Sequence, residues 1–137
     1  MSDPMDVQAM VRQFHEVFGL SIGATPSLAI GETTHRLRVG LIDEELNELN
    51  LALDQEDIVA VADALGDLAY VVFGAAITYG IDLNAVVAEI HRSNMTKLGD
   101  DGKPVRRADG KVLKGPRYEP PVLGPLLLPA TATGAAS

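Results

Sequence analysis

The stretch Ile58–Gly80, IVAVADALGDLAYVVFGAAITYG, constrains this chain more than any other. Its apolar residues fall all round a helix rather than on one stripe. A helix over Asp57 to about Tyr79 therefore belongs at the centre of a bundle or at a subunit interface. Only two acidic groups interrupt it, Asp63 and Asp67, four residues apart and so on neighbouring turns of one face. Ionised carboxylates on a buried helix must be paired or must hold a cation. Gly66, Gly74 and Gly80 lower helix propensity, but small residues also let neighbouring helices approach closely.

The flanking segments read as further helices. Val7, Met10, Val11, Phe14, Val17 and Phe18 recur at helical spacing within Asp6–Leu20, and Gly19 supplies a stop. After a loop with Gly23, Pro26 and Gly31, Thr33 or Thr34 is expected to cap a helix running to about Asp54. Its apolar stripe is Leu37, Leu41, Leu46, Leu49 and Leu53. Asp82 is expected to cap a fourth helix, Leu83 to about Leu98. From Gly99 the chain turns rich in Gly, Pro and basic residues, with two Asp-Gly signals for a short hairpin, and it ends in a leucine-bearing strap. The expected organisation is an all-α four-helix bundle: a helical core over residues 1–98, with a basic loop and C-terminal strap over 99–137 belonging to the same domain.

With 137 residues the chain is long enough to bury a core, and its lack of cysteine removes disulfides, thiolate metal sites and thiol nucleophiles. That is compatible with a cytoplasmic location. The acidic start MSDPMDVQAM has no signal-peptide order, and no apolar run is expected to reach the roughly 20 residues of a membrane span, Val71–Ile77 being the most apolar stretch. A net charge of −8 argues against binding a nucleic acid polymer or an anionic membrane. An anionic phosphate ligand then needs a metal or a local basic patch to mediate.

Both are present in the sequence. Glu44, Glu45 and Glu48 project from neighbouring turns of the second helix, and a short turn should set that helix antiparallel to the one carrying Asp63 and Asp67. Four or five carboxylates would face one another, each raising the others' pKa unless a cation intervenes. Oxygen-only ligands select Mg²⁺, or Mn²⁺, over zinc. Taken alone, the three glutamates are equally well read as a solvated helix face; Asp63 and Asp67 tip the balance towards metal. Eight of the eleven Lys and Arg lie in Arg92–Arg117, a basic segment suited to polyphosphate. His15 and His91 read first as structural histidines, although His15, beside Phe14 and Phe18, is placed to stack on a nucleobase.

With these residues in view, the chain resembles the all-α nucleoside triphosphate pyrophosphohydrolases, the MazG-like superfamily that includes dimeric dUTPases and phosphoribosyl-ATP pyrophosphohydrolase. That family's pattern is E-E-x-x-E on one helix and E-x-x-D on the next. Here EELNE, Glu44–Glu48, matches the first half, and ALGD, Ala64–Asp67, keeps only the final aspartate of the second. Ala64 is either a natural departure, with Asp63 supplying the missing carboxylate, or a substitution that traps substrate; the first reading also accounts for Asp63. HRSNMTKL and DGKVLKGPRYEPP look like a bacterial and phage-type branch of the family.

The resemblance implies hydrolysis of a nucleoside triphosphate between its α and β phosphates, with dUTP the first choice of substrate by analogy, in nucleotide-pool house-cleaning. It implies Mg²⁺ held by Glu45, Glu48, Asp67 and Asp63, with Glu44 holding or deprotonating the attacking water. Lys97 and one of Lys114 or Arg117 would neutralise the leaving group; His15, Asn94 and Tyr118 are further substrate-binding candidates. A homo-oligomer, dimer or tetramer, is implied too. Two rival readings remain: a catalytically weak nucleotide-binding regulator marked by Ala64, and a helical module whose acidic faces recognise a basic partner.

Overall fold

The computed structural model describes residues 5–129. Its elements are α1 (Val7–Phe18), α2 (Glu32–Asp54), α3 (Ile58–Tyr79), α4 (Leu83–Met95), β1 (Val105–Arg106), β2 (Val112–Leu113) and the short α5 (Gly124–Leu127). The fold is all-α apart from one two-stranded antiparallel pairing, Val105 with Leu113 and Arg106 with Val112. Local chemistry explains most helix ends. Asp6 accepts from the Ala9 amide to start α1, and Asp57 accepts from Val59 and Ala60 to start α3. Gly19 and Gly80 end those helices in the left-handed conformation. The second helix departs from expectation: it begins at Glu32 behind Gly31, with no side-chain cap, so Thr33 and Thr34 lie inside its first turn. The fourth stops at Met95, because the Thr96 hydroxyl and the Thr96 and Lys97 amides turn back onto the carbonyls of Ser93 and Asn94.

The chain forms two compact units, Met1–Leu83 and Asn84–Ser137. Compactness therefore changes earlier than composition, which shifts at Gly99, and α4 goes with the C-terminal segment.

In the first unit α3 is central, packing against both α2 and α1. The Gly19–Gly31 loop is fastened to the end of α3, with Gly23 N–H donating to Ile77 and Ser27 N–H to Tyr79, each at 2.9 Å. Gly23 and Gly80 touch so closely that a Cβ on Gly23 would lie 2.5 Å from the Gly80 nitrogen. His35 adds a clamp: its Nδ1 pairs with the Tyr79 hydroxyl at 2.7 Å and its Nε2 with the Leu28 carbonyl at 3.0 Å. The apolar core is small, centred on Val11, Ala52, Ala64, Ala76 and Ile77.

One expectation about α3 needs correction. It runs for 22 residues with a mean hydropathy of 1.8 over its most apolar window, so by length and composition alone it could cross a bilayer. The sequence reading missed this because Asp63, Gly66 and Asp67 break the apolar run without ending the helix. Only 11% of that window is buried, and Ile58 and Val59 are 77% and 76% exposed, so of the two settings expected for this helix the single chain does not provide the bundle centre.

In the second unit α4 carries the polar clamp that holds the C-terminal strap. Arg92 donates to Glu89 and Glu119, and Glu89 Oε2 also accepts the Val122 amide at 2.8 Å. Ser93 donates to the Glu119 carbonyl, and Thr96 Oγ1 accepts the Glu119 amide. Val122, Pro125 and Leu126 line an apolar groove with Ala85 and Ala88, whereas Leu128 stays exposed. The rest of the strap expected to follow lies outside the described residues. Asp109–Gly110 forms the hairpin turn, Gly110 at φ +89°, as the Asp-Gly signal predicts.

Candidate functional site

A groove of about 100 Å³ opens between α2 and α3, lined by Glu45, Glu48, Leu51, Ala52 and Gln55 on one wall and Ala60, Asp63, Ala64 and Asp67 on the other. Antiparallel packing produces it. The Gln55–Glu56 turn, with Glu56 at φ +53°, reverses the chain. Side chains spaced three and four residues apart on each helix then meet rung by rung. Glu44 opens onto the adjoining surface with Glu45, Asn47, Glu48 and Asp67. All five carboxylates expected at a cation site thus lie in one region.

The electrostatics agree with that placement. Glu45 has its pKa pushed up, first by partial burial and then by the charges of Asp67, Glu48, Glu44 and Asp63. Among the described residues none of the five is engaged in an ion pair. Asp63 and Asp67 are exposed, not buried as expected, so water takes the place of the pairing a closed interior would demand. Among the described residues no three His, Asp or Glu side chains converge tightly enough to form a metal cage. The donor set fits a hard cation that retains water and shares its shell with phosphate oxygens, which needs only part of its shell from protein.

Ala64 is 3% exposed on the groove floor, beside Glu45 and Glu48, whereas Asp63 stands at its exposed rim. The carboxylate that the family pattern puts on the floor has no side chain there; its neighbour offers one from the side.

The other expected residues fall differently. His15 is 2% exposed, its Nδ1 bonded to the Ser21 carbonyl at 2.8 Å and its Nε2 facing Arg38. It has no free face for a base, which corrects the stacking expectation. Neighbouring Phe14 and Phe18 are the exposed rings, and Phe14 meets Tyr70 edge-on at 5.7 Å. In the second unit, Lys114 places its ammonium 4.9 Å from the Tyr118 ring centre. The Lys97 carbonyl accepts the Gly115 amide, and Asn94 is exposed. Arg117 pairs with Asp100 at 3.0 Å, so its charge is already answered locally. Two residues escaped the sequence reading, His35 and Arg38. The signal for Arg38 was its position seven residues before Glu45, on the stripe that turns out to face α3.

Over 71 residues the chain is 34% identical to an uncharacterized protein of Acanthamoeba polyphaga mimivirus, an alignment covering 52% of this chain and 26% of the viral protein. The chain thus spans about a quarter of that relative's length. The family model described as phosphoribosyl-ATP pyrophosphohydrolase matches residues 11–94, from α1 through the carboxylate groove to α4. With the groove's carboxylates and the all-α fold, that match places the chain in the phosphoribosyl-ATP pyrophosphohydrolase family, within the MazG-like nucleotide pyrophosphohydrolase superfamily.

Proposed function

We propose that this protein hydrolyses a (deoxy)nucleoside triphosphate, dUTP first among candidates, to the monophosphate and pyrophosphate, as a cytoplasmic house-cleaning enzyme. The observation that carries the reading is the α2–α3 groove, where Glu45, Glu48, Asp63 and Asp67 gather without an ion pair among the described residues. Glu45, Glu48 and Asp67, joined by Asp63 from the rim, would hold Mg²⁺ or Mn²⁺. When bound, the ion supplies charge neutralisation of the phosphate oxygens and polarisation of the attacked phosphorus. Glu44, on the open side, orients the attacking water and accepts its proton. In the second unit, Lys97 and Lys114 carry no ion pair among the described residues and are the candidate cations for polyphosphate charge. The apolar surface left open at Ile58, Val59, Val17 and Phe18 supports a homo-oligomer, dimer or tetramer.

A panel of dNTPs and NTPs with Mg²⁺ or Mn²⁺, read out as pyrophosphate release, tests the proposal. Pyrophosphate and monophosphate in equal amounts, abolished by EDTA, are expected. Orthophosphate and a diphosphate from fresh triphosphate would show a cut elsewhere. Tight nucleotide binding without turnover would favour the regulatory reading.

A further inference from the structure

Arg38 is buried in the first unit, only 6% exposed, and among the described residues no carboxylate pairs with it. Among the described residues its one hydrogen bond is long, from Nη1 to His15 Nε2 at 3.5 Å, and its Nε–H has no partner. Burying a charge in this way is unfavourable, and desolvation pulls the guanidinium pKa down. A group kept under such a penalty calls for a reason.

Its surroundings supply one. The His15 Nδ1–H donates to the Ser21 carbonyl, which leaves Nε2 as an acceptor turned to Arg38. On α3, a Cβ at Gly74 would come within 2.9 Å of Arg38 Nη1 and 3.2 Å of His15 Nε2. The guanidinium of α2 therefore fills a notch in α3 and is held there from α1.

That seat is in register with the groove. Seven residues along α2 from Arg38 stands Glu45; seven residues back along α3 from Gly74 stands Asp67. Each step is two helical turns, about 10 Å. The next rungs bring Glu48 to Ala64 and Ala52 to Ala60, all of them groove residues. Packing of alanine and leucine tolerates a slip of one turn. Arg38 does not, because such a slip would drive it against Val71 or Thr78. A buried polar group that fixes helix register at a cost in stability is a known device.

We propose that Arg38, seated at Gly74 and held by His15, is the positioning residue of the carboxylate groove, fixing α2 on α3 so that Glu45 and Glu48 meet Asp67. The inference rests on the groove being a cation site. It is tested on the full chain by Mn²⁺ titration followed by electron paramagnetic resonance, with thermal unfolding in EDTA alongside. Arg38→Met should keep its helical circular dichroism and lose about tenfold or more in Mn²⁺ affinity, the scale of lost support behind a metal ligand. Arg38→Lys should fall between it and the parent, and His15→Leu should also weaken Mn²⁺ although it lies on another helix. A lower melting temperature with unchanged Mn²⁺ affinity in Arg38→Met would reduce Arg38 to a structural role and overturn the proposal. Tighter binding would overturn it too, exposing a merely competing charge. If Arg38→Met does not fold, Arg38→Lys decides: affinity equal to the parent's overturns the proposal, and weaker binding with an unchanged spectrum supports it. A parent that takes no Mn²⁺ removes the proposed function and this inference together, whereas a parent that binds beside an unaffected variant removes the inference alone.

Discussion

The two units treat charge in opposite ways. Of the 19 acidic and 11 basic residues (Lys and Arg), 14 and 3 fall in Met1–Leu83, and 5 and 8 in Asn84–Ser137, giving −11 and +3. In the basic unit the arginines largely answer to nearby acids: Arg92 to Glu89 and Glu119, Arg107 to Asp109, Arg117 to Asp100. In the acidic unit two of three arginines are spent on exposed helix pairs, Arg12 with Glu16 and Arg36 with Glu32. The third is buried at Gly74. The groove carboxylates make no ion pair among the described residues, which is why the proposed cation site lies in the acidic unit. A basic segment in a sequence is weaker evidence for a phosphate site than it looks, because local pairing can spend it.

The largest expected effect would break this contrast outright. Glu48→Gln should lower pyrophosphohydrolase activity by at least about 100-fold, at or beyond the upper end seen for groups that merely support metal ligands. It should also abolish stabilisation by Mg²⁺ in thermal unfolding; an unchanged Mg²⁺-dependent shift would move the site elsewhere.

Packing in the acidic unit comes next. Gly23→Ala brings a Cβ against the backbone of Gly80 and Thr78, so unfolding in urea should show a loss of about 2–3 kcal/mol. A neutral result would mean that the loop can lift from α3.

The groove floor offers a gain to set beside these losses. Ala64→Glu should tighten Mn²⁺ binding or raise kcat, and Asp63→Asn should weaken binding in the natural background. Should Ala64→Glu change nothing while Asp63→Asn abolishes activity, Asp63 is the true ligand.

Acid should separate the units by sign. Glu45 has a folded-state pKa raised above its ordinary 4.5, so its contribution to stability is fully present below 4.5 and lost as pH rises through the raised value. Glu89, held by Arg92 and the Val122 amide, is depressed from 4.5 to about 2; its contribution is present above 4.5 and lost as pH falls towards 2. Metal-free unfolding curves should therefore show Glu45→Gln gaining on the parent as pH rises from 4 to 7. Glu89→Gln should lose least relative to the parent near pH 2. Parallel pH curves for both variants would erase the distinction.

The smallest effect concerns the turn that builds the groove. Glu56 holds φ +53°, a strained region for a residue with a Cβ, so Glu56→Gly should stabilise by about 1 kcal/mol in chemical denaturation.

How much of this could be read in advance differs between helices and charges. The extents of α1 and α3, the all-α class, the Asp-Gly hairpin and the α2–α3 carboxylate groove were legible, because each rests on local periodicity or on a short connection. Which of its two expected settings α3 takes within the chain was not, since periodicity says which residues are apolar and never what covers them. The start of α2 was missed because Gly31 yields the helix start without a capping side chain.

By itself, then, the sequence determined the helices, the five carboxylates that a tight turn must bring face to face, and the departure at Ala64. Tertiary structure alone decided the burial of His15, the local pairing of Arg117 and the seating of Arg38 in a notch of α3. The physical reason is range. Capping, periodicity and a short turn act within a few residues, whereas burial and ion pairing depend on which distant surface arrives, and that is settled only when the helices pack.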